Sequence, residues 1–303
     1  MPVIKLVCNQ QIGDCIRTTT VAKLFKEQYP EYDIQPIMSH NSVYDNNPNV
    51  IQVKPKPQVI NTNISKESTF LRVVCKQDDD NGKIDNEFSI HKLKENNATM
   101  VDAMVGYINA KYGFNLVVTQ QEPDLYPETQ PFDDLPGKYI VVNCGGEKTN
   151  KRKIYPYKYW EKLFQDTPDI NYVQIGISKD YHPAFNYPNV ISKIDQYTIQ
   201  DTFRLVYNSC GVISGYTYIM HVGAAFKKPV IALGGGGECI SWENYEYDKF
   251  NLLHTIGSFD CCLSGGCWVP ECYNKTDDNI QKCMNIITPN YLIDIIKEQE
   301  WIS

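Results

Sequence analysis

The chain lacks any apolar run approaching the ~18 residues of a membrane-spanning helix, so no transmembrane segment is expected. It also lacks an excess of positive charge: 29 Lys and Arg stand against 36 Asp and Glu, a formal net charge of −7. Nucleic-acid binding needs a basic stripe, and that class of function is set aside. The N-terminus, Met1-Pro2-Val3-Ile4-Lys5, has no basic segment leading into a long apolar core. No secretory signal is read, and a cytoplasmic location is expected. Neither G-x-G-x-x-G nor a Walker A pattern occurs, and the 11 cysteines include no C-x-x-C pair. The strongest short signatures of nucleotide and zinc binding are therefore missing.

What is present is the composition of a globular protein, with 42% hydrophobic and 21% charged residues over 303 positions. That length allows two domains of ordinary size. Val3 to Cys8 reads as a buried strand, and Thr18, Val21, Ala22, Phe25 and Tyr29 recur on one face of a following helix that Pro30 ends. Asp33 to Met38 reads as a second strand, and Val50 to Val53 as a third after the turn Asn46 to Asn49. Phe70 to Cys75 and Glu87 to Ile90 read as a hairpin around the acidic tip Asp78-Asp79-Asp80-Asn81-Gly82. The tip fails the calcium-loop pattern, because Gln77 and Phe88 would fall on the first and last ligand positions. Val101, Met104, Val105, Ile108 and Tyr112 mark a helix stopped by Gly113. Four prolines between Gln120 and Gly137 mark a linker.

A second βα series comes after it. Tyr139 to Asn143 is a strand, and a helix with Trp160, Leu163 and Phe164 inward begins near Pro156. Tyr172 to Ile175, Val190-Ile191 and Gly211 to Ser214 are strands, Ile199 to Tyr207 is a helix, and a last helix near Tyr291 to Glu300 buries Leu292, Ile295 and Ile296. The alternation predicts an α/β protein of two halves: residues 1–120, a linker at 121–137, a second domain at 138–290 and a terminal helix at 291–303. Clefts between such halves are a usual place for ligands.

The stretch from Val212 to Glu238 reads as strand, turn, short helix, strand and glycine loop. Such a unit can hold a diphosphate: glycines let backbone come close, and a helix beginning near Thr217 aims free N–H groups at an anion. The alternative is that Gly234 to Gly237 is a flexible turn. Asp14, between the first strand and helix, is either a general base or a helix cap. The run Lys148 to Lys153 either neutralises a leaving phosphate or is a solvated loop. His221 either donates to a phosphate or sugar oxygen or is a satisfied half-buried histidine. Cys8, Cys15, Cys75, Cys144 and Cys210 read as small buried hydrophobes. Cys262, Cys267, Cys272 and Cys283, within a finger at 261–283, form a set that could hold zinc or iron tetrahedrally; free thiols or disulfides are the alternatives.

Taken together, these pieces resemble the family 9 glycosyltransferases, the heptosyltransferase-like enzymes. Ile12-Gly13-Asp14 resembles the family's N-terminal Gly-Asp, and the resemblance implies Asp14 as the base that activates the acceptor hydroxyl. Lys153-Ile154-Tyr155-Pro156, with Trp160 after it, resembles the Lys-x-Trp-Pro segment whose lysine contacts the donor diphosphate. Thr217 to His221, then Ala224-Ala225 and Lys228-Pro229-Val230, resembles the family's Asp-Thr-Gly-x-x-His segment leading into Ala-Ala and Pro-Val. This implies Thr217 and His221 at the donor. Two positions depart: Tyr216 stands where the family has aspartate and Tyr218 where it has glycine. The cysteine-rich end is similar to the iron-binding finger of bacterial protein O-heptosyltransferases, with a different cysteine spacing.

The resemblance implies the GT-B architecture, two Rossmann-like domains facing across a cleft. It implies an inverting transfer from a nucleotide-sugar donor to a glycan or protein hydroxyl, with no cofactor needed for the chemistry. Gly13, Gly235 and Gly236 join Lys153, Thr217 and His221 as expected substrate contacts. A nucleotide-sugar epimerase and a non-catalytic nucleotide- or carbohydrate-binding protein remain the other readings.

Overall fold

The computed structural model describes residues 3–8, 11–51, 68–72, 98–146, 153–236, 240–262 and 272–302, with 68–72 described by backbone alone. The chain divides into two compact units, Met1–Pro127 and Glu128–Ser303.

In the first unit a three-stranded sheet runs in the order β2-β1-β3, with β1 Val3–Cys8 at its centre, β2 Asp33–Met38 and β3 Ser68–Arg72. Both outer strands pair parallel with β1. The third strand is therefore 68–72 and not Val50 to Val53. Val50 and Ile51 lie outside any strand and 52–53 lie outside the described residues. The hairpin expected around the acidic tip is corrected in part: 68–72 pairs with β1, while Glu87 to Ile90 and the tip lie outside the described residues. β1 buries Ile4, Leu6 and Cys8 and leaves the alternate positions half-covered, so it is not sealed on both faces.

Helix α1, Ile12–Gln28, is buried nearly all round and not only on the face set by Val21, Ala22 and Phe25. It tolerates this because its threonines bond the backbone. Thr18 and Thr19 donate to the carbonyls of Cys15 and Ile16, each at 2.6 Å, and Thr20 donates to the Glu122 carbonyl at 3.0 Å. A buried hydroxyl with a partner avoids most of the cost of leaving water. Helix α2, Met100–Tyr112, starts at a capping box between Thr99 and Asp102 and ends at Gly113 with φ 74°, a backbone that glycine adopts without strain.

The proline-rich stretch is tied down within each unit. The Asp124 N–H donates to Thr19 Oγ1 at 2.8 Å in the first. In the second, Lys193 pairs with Asp134 at 2.6 Å and the Arg204 guanidinium lies 4.1 Å over Phe132.

The second unit is one sheet of six parallel strands in the order β6-β5-β4-β7-β8-β9. They are β4 Ile140–Asn143, β5 Tyr172–Gln174, β6 Val190–Ser192, β7 Gly211–Gly215, β8 Val230–Gly235 and β9 Phe250–His254. β4, β7 and β8 are buried along their whole length, as their continuous apolar runs require. The helices are α3 Tyr157–Asp166, α4 Ile199–Tyr207, α5 Tyr218–Ala225, α6 Ile240–Glu243, α7 Lys282–Asn285 and α8 Pro289–Glu298. Trp160, Phe164, Tyr172, Leu292 and Ile296 share one core, so the terminal helix is part of this unit. Numbered along the unit, the strand order is 3-2-1-4-5-6, the doubly wound Rossmann order, whose direction reverses between β4 and β7. Ligands of such sheets bind outside the carboxyl ends of the strands at that reversal.

Candidate functional site

In the first unit the N-cap of α1 is Gln11, with no side-chain capping bond. Gly13 and Asp14 therefore lie inside the first turn of the helix and not in the loop before it, and Asp14 is not the cap. Its carboxylate is 5% exposed and meets the Arg17 guanidinium, also 5% exposed, at 3.3 Å. The turn carries its own anion and that anion carries its own cation. The i, i+3 spacing of Asp14 and Arg17 is visible in the sequence, and the pairing could have been read from it.

In the second unit two expected residues, Lys153 and Thr217, meet at the switch point. A Cβ placed on Gly215, at the end of β7, would stand 3.0 Å from the Lys153 carbonyl oxygen and 3.9 Å from the Thr217 methyl. Thr217 is the N-cap of α5, yet its side chain makes no capping bond, and Thr217 Oγ1 is buried with no hydrogen-bond partner among the described residues. The first turn of α5 holds no acidic residue. Helix starts of this kind attract anions. His221, one turn along, is 3% exposed, with its Nδ1 2.8 Å from the Tyr245 hydroxyl and the two rings edge to face. That partner fixes the ring, as a satisfied core histidine would be fixed.

The glycine loop is closely packed. A Cβ on Gly234 would lie 2.1 Å from the Tyr216 ring, one on Gly235 2.7 Å from Met284 Sδ, and one on Gly236 2.7 Å from Cys262 Sγ. Gly235 also has φ 56°. Each glycine is required by the group lying against it. The Tyr216 ring so fills the place beside β8, a role the sequence did not reveal. Gly237 lies outside the described residues.

The same loop gathers thiols. Cys262 and Cys272 are buried and Cys283 is half-buried. Burial pushes the Cys283 thiol up from its ordinary value. The backbone of Gly236 and Met284 counters that shift, and the neighbouring Cys272 and Cys262 reinforce it. A set of thiols beside backbone N–H groups suits a soft metal ion. Among the described residues, however, no three His, Cys, Asp or Glu side chains converge tightly enough to hold one, and Cys267 lies outside them. Of the scattered cysteines, Cys8, Cys15 and Cys144 are buried, Cys210 is only half-buried, and Cys75 lies outside the described residues. Lys148 to Arg152 are not described, apart from the run's end at Lys153.

One residue near the crevice has no motif to announce it. His182, in the loop after β5, sets its ring against Gly145 and Gly176, at the carboxyl ends of β4 and β5. Only the folding of two separate strands brings those glycines under it.

No protein-family model and no curated protein matches the chain. Solved structures do. The iron-containing dodecameric glycosyltransferase TibC from enterotoxigenic E. coli H10407 is 14% identical, with 99% of this chain and 78% of that one covered at a TM-score of 0.69. The glycosyl transferase family 9 structure from Veillonella parvula is 14% identical, covering 98% and 96% at 0.66. The E. coli heptosyltransferase WaaC with ADP is 13% identical, covering 98% and 99% at 0.63. At such identities the likeness shows the fold, which is the two-unit Rossmann-like GT-B fold. Among the described residues no helix is long and apolar enough to cross a membrane.

Proposed function

We propose that the chain is a glycosyltransferase that moves a sugar from a nucleotide-sugar donor to a glycan or protein hydroxyl, inverting the anomeric carbon. The observation that carries this reading is the switch point of the second sheet. There the Lys153 backbone, Gly215 and a Thr217 hydroxyl with no partner among the described residues come together at a helix start that has no acidic residue of its own. The likeness in fold to WaaC, a heptosyltransferase solved with ADP, supports a nucleoside diphosphate as part of the donor.

In the proposed reaction Asp14 takes the proton of the acceptor hydroxyl. The acceptor oxygen bonds to the anomeric carbon, and the bond from that carbon to the diphosphate oxygen breaks. The nucleoside diphosphate leaves with the electron pair. Lys153 and the N–H groups of the first turn of α5 receive the charge that grows on it, the kind of term that dominates such catalysis. His221, held by Tyr245, lies one turn further along the same helix. Gly13 gives acceptor-side backbone room, and Gly235 and Gly236 set the β8 loop. No step needs a metal. Cys262, Cys267, Cys272 and Cys283 would be the ligands of a structural zinc or iron ion, although the described members of that set do not converge on one point in this structure. Tyr216, in the place of the family's aspartate, leaves the donor sugar open.

The Asp14–Arg17 pair favours a second reading, a nucleotide-binding protein without turnover, because the carboxylate is buried and already has a guanidinium as its partner. A donor that binds but is never consumed with any glycan or peptide acceptor would establish that reading.

The test is a thermal-shift panel of ADP-, GDP-, UDP- and CMP-sugars on purified protein and on Lys153→Ala, with iron and zinc content measured on the same sample. A ligand at about 100 times its dissociation constant stabilises by roughly 2.7 kcal/mol. One nucleotide should stand out, and its shift should shrink in Lys153→Ala. No shift with any of them removes the donor site, and protein free of both metals removes the metal assignment.

A further inference from the structure

The amino ends of β7 and β8 lie at the edge of the second sheet opposite to the switch point. The two strands pair in parallel with Val212 opposite Val230, and the Val212 N–H donates to the Pro229 carbonyl at 2.9 Å. Cys210 and Lys228 each stand two residues before that pair. Side chains alternate along extended chain, and neighbouring strands lie about 4.8 Å apart. The thiol and the amine therefore enter on the same side, next to each other. Backbone bonds hold both residues. The Cys210 N–H donates to the Tyr139 carbonyl at 2.8 Å, and the Lys228 N–H to the Gly223 carbonyl at 3.0 Å. The Lys228 carbonyl accepts from the Tyr247 hydroxyl at 2.8 Å.

Neither functional group is occupied by another part of the chain. Cys210 is a half-buried free thiol with no hydrogen-bond partner among the described residues. Lys228 is half-buried too, and among the described residues its amine meets no carboxylate. What it meets is the Tyr207 ring, with Nζ 5.9 Å from the ring centre. Burial pushes the Lys228 ammonium below its ordinary value, and the neighbouring Cys210 thiol counters that shift. More of this side chain is the free, nucleophilic amine than in a solvated lysine. Tyr207 is 39% exposed and packs edge to face on Phe226, so the pair opens to solvent beside an aromatic wall. Thioesters exchange with thiols. An acyl group held on a thiol beside an amine passes to it within one molecule, which is the advantage of proximity.

We propose that Cys210 and Lys228 form an acylation site, in which Cys210 takes an acyl group from a small acyl thioester and hands it to the Lys228 amine. In the first step the Cys210 sulfur gives up its proton and bonds to the acyl carbonyl carbon. The carbon–sulfur bond of the incoming thioester breaks, and its thiol leaves with the electron pair and takes up a proton. In the second step the Lys228 nitrogen bonds to the same carbon, the bond to the Cys210 sulfur breaks, and the sulfur regains a proton from the nitrogen. The product is a neutral amide, which removes the positive charge beside Tyr207. This site shares no residue with the donor site, and the proposal stands or falls independently of the donor reading.

The test is incubation of purified protein with acetyl coenzyme A, followed over time by peptide mapping in a mass spectrometer, on wild type, Cys210→Ala and Lys228→Arg. Lys228 should gain acetyl about tenfold faster than its exposed neighbour Lys227, a small part of what proximity can supply. In Cys210→Ala that advantage should vanish. In Lys228→Arg an acetyl group should accumulate on Cys210 and be removed by hydroxylamine. Wild type that acetylates Lys228 no faster than Lys227 overturns the proposal. So does a Lys228 rate that Cys210→Ala leaves unchanged, or a Lys228→Arg protein with no acetyl on Cys210. Each variant is first shown to melt cooperatively. Should Cys210→Ala fail to fold, Cys210→Ser takes its place and is read in the same way.

Discussion

Two helix starts occupy equivalent places in the two units and are built in opposite ways. α1 follows β1 and α5 follows β7, each at the carboxyl end of a parallel strand. The first turn of α1 contains Asp14, already paired with Arg17 in a buried contact. The first turn of α5 contains no acid, and its N-cap hydroxyl is buried without a partner among the described residues. A helix N-terminus attracts negative charge. Where the chain supplies that charge, the turn has no need of an anionic ligand and can present a carboxylate to chemistry. Where it does not, the N–H groups of the turn have no carboxylate from the chain beside them. Under the proposed function the first start serves the acceptor and the second the diphosphate, and that division is what the variants below test.

The comparison breaks most visibly at Asp14. Asp14→Asn should lower sugar transfer by about 10²- to 10⁴-fold, the usual range for a general base, while donor affinity in the thermal-shift panel stays as in wild type. Donor affinity falling with transfer, in protein that still melts cooperatively, would mean that Asp14 serves the donor instead. Arg17→Met leaves a buried carboxylate without its cation. Breaking such a pair costs about 3–5 kcal/mol, so chemical denaturation should show a clear loss of stability. A change below about 1 kcal/mol would show the pair to be loosely held and the first turn of α1 to be open after all. The smallest effect is expected at Thr217→Val. The hydroxyl has no partner among the described residues to lose, so stability should hold or rise slightly. The donor should bind about tenfold more weakly, near 1.4 kcal/mol, if a phosphate oxygen is the missing partner. Unchanged donor affinity would move the anion away from this turn.

Much of the second unit was legible in sequence because its strands are continuous apolar runs and its helices have clear starts. Ile199–Tyr207 begins at the Thr198–Asp201 capping box, and Trp160, Leu163 and Phe164 point inward as their spacing predicts. The first unit was harder. Val50 and Ile51 have the residue types of a strand, but the place beside β1 is taken by 68–72, and that choice depends on pairing partners far apart in the chain. Helix α1 shows why periodicity alone misleads. Its threonines look polar, and only their bonds to backbone carbonyls make burial on every side tolerable.

The candidate site divides in the same way. Lys153, Thr217 and the glycine loop could be named from local order, since turn chemistry and helix starts are local properties. That Asp14 is held by Arg17 is written in an i, i+3 spacing. The meaning of Gly234, Gly235 and Gly236 was not legible, because a glycine says only that a side chain is excluded and not what excludes it. Packing supplied Tyr216, Met284 and Cys262 as the answers.

By itself, then, the sequence determined the α/β class, the order of the elements and which loops carry charge, because hydrophobic period and turn residues act over a few positions. Only the tertiary structure decided the strand order, the place of the switch point, and which side chains stand over which glycines. Those depend on hydrogen bonds and close contacts between residues many positions apart, and His182 over Gly145 and Gly176 is such a contact.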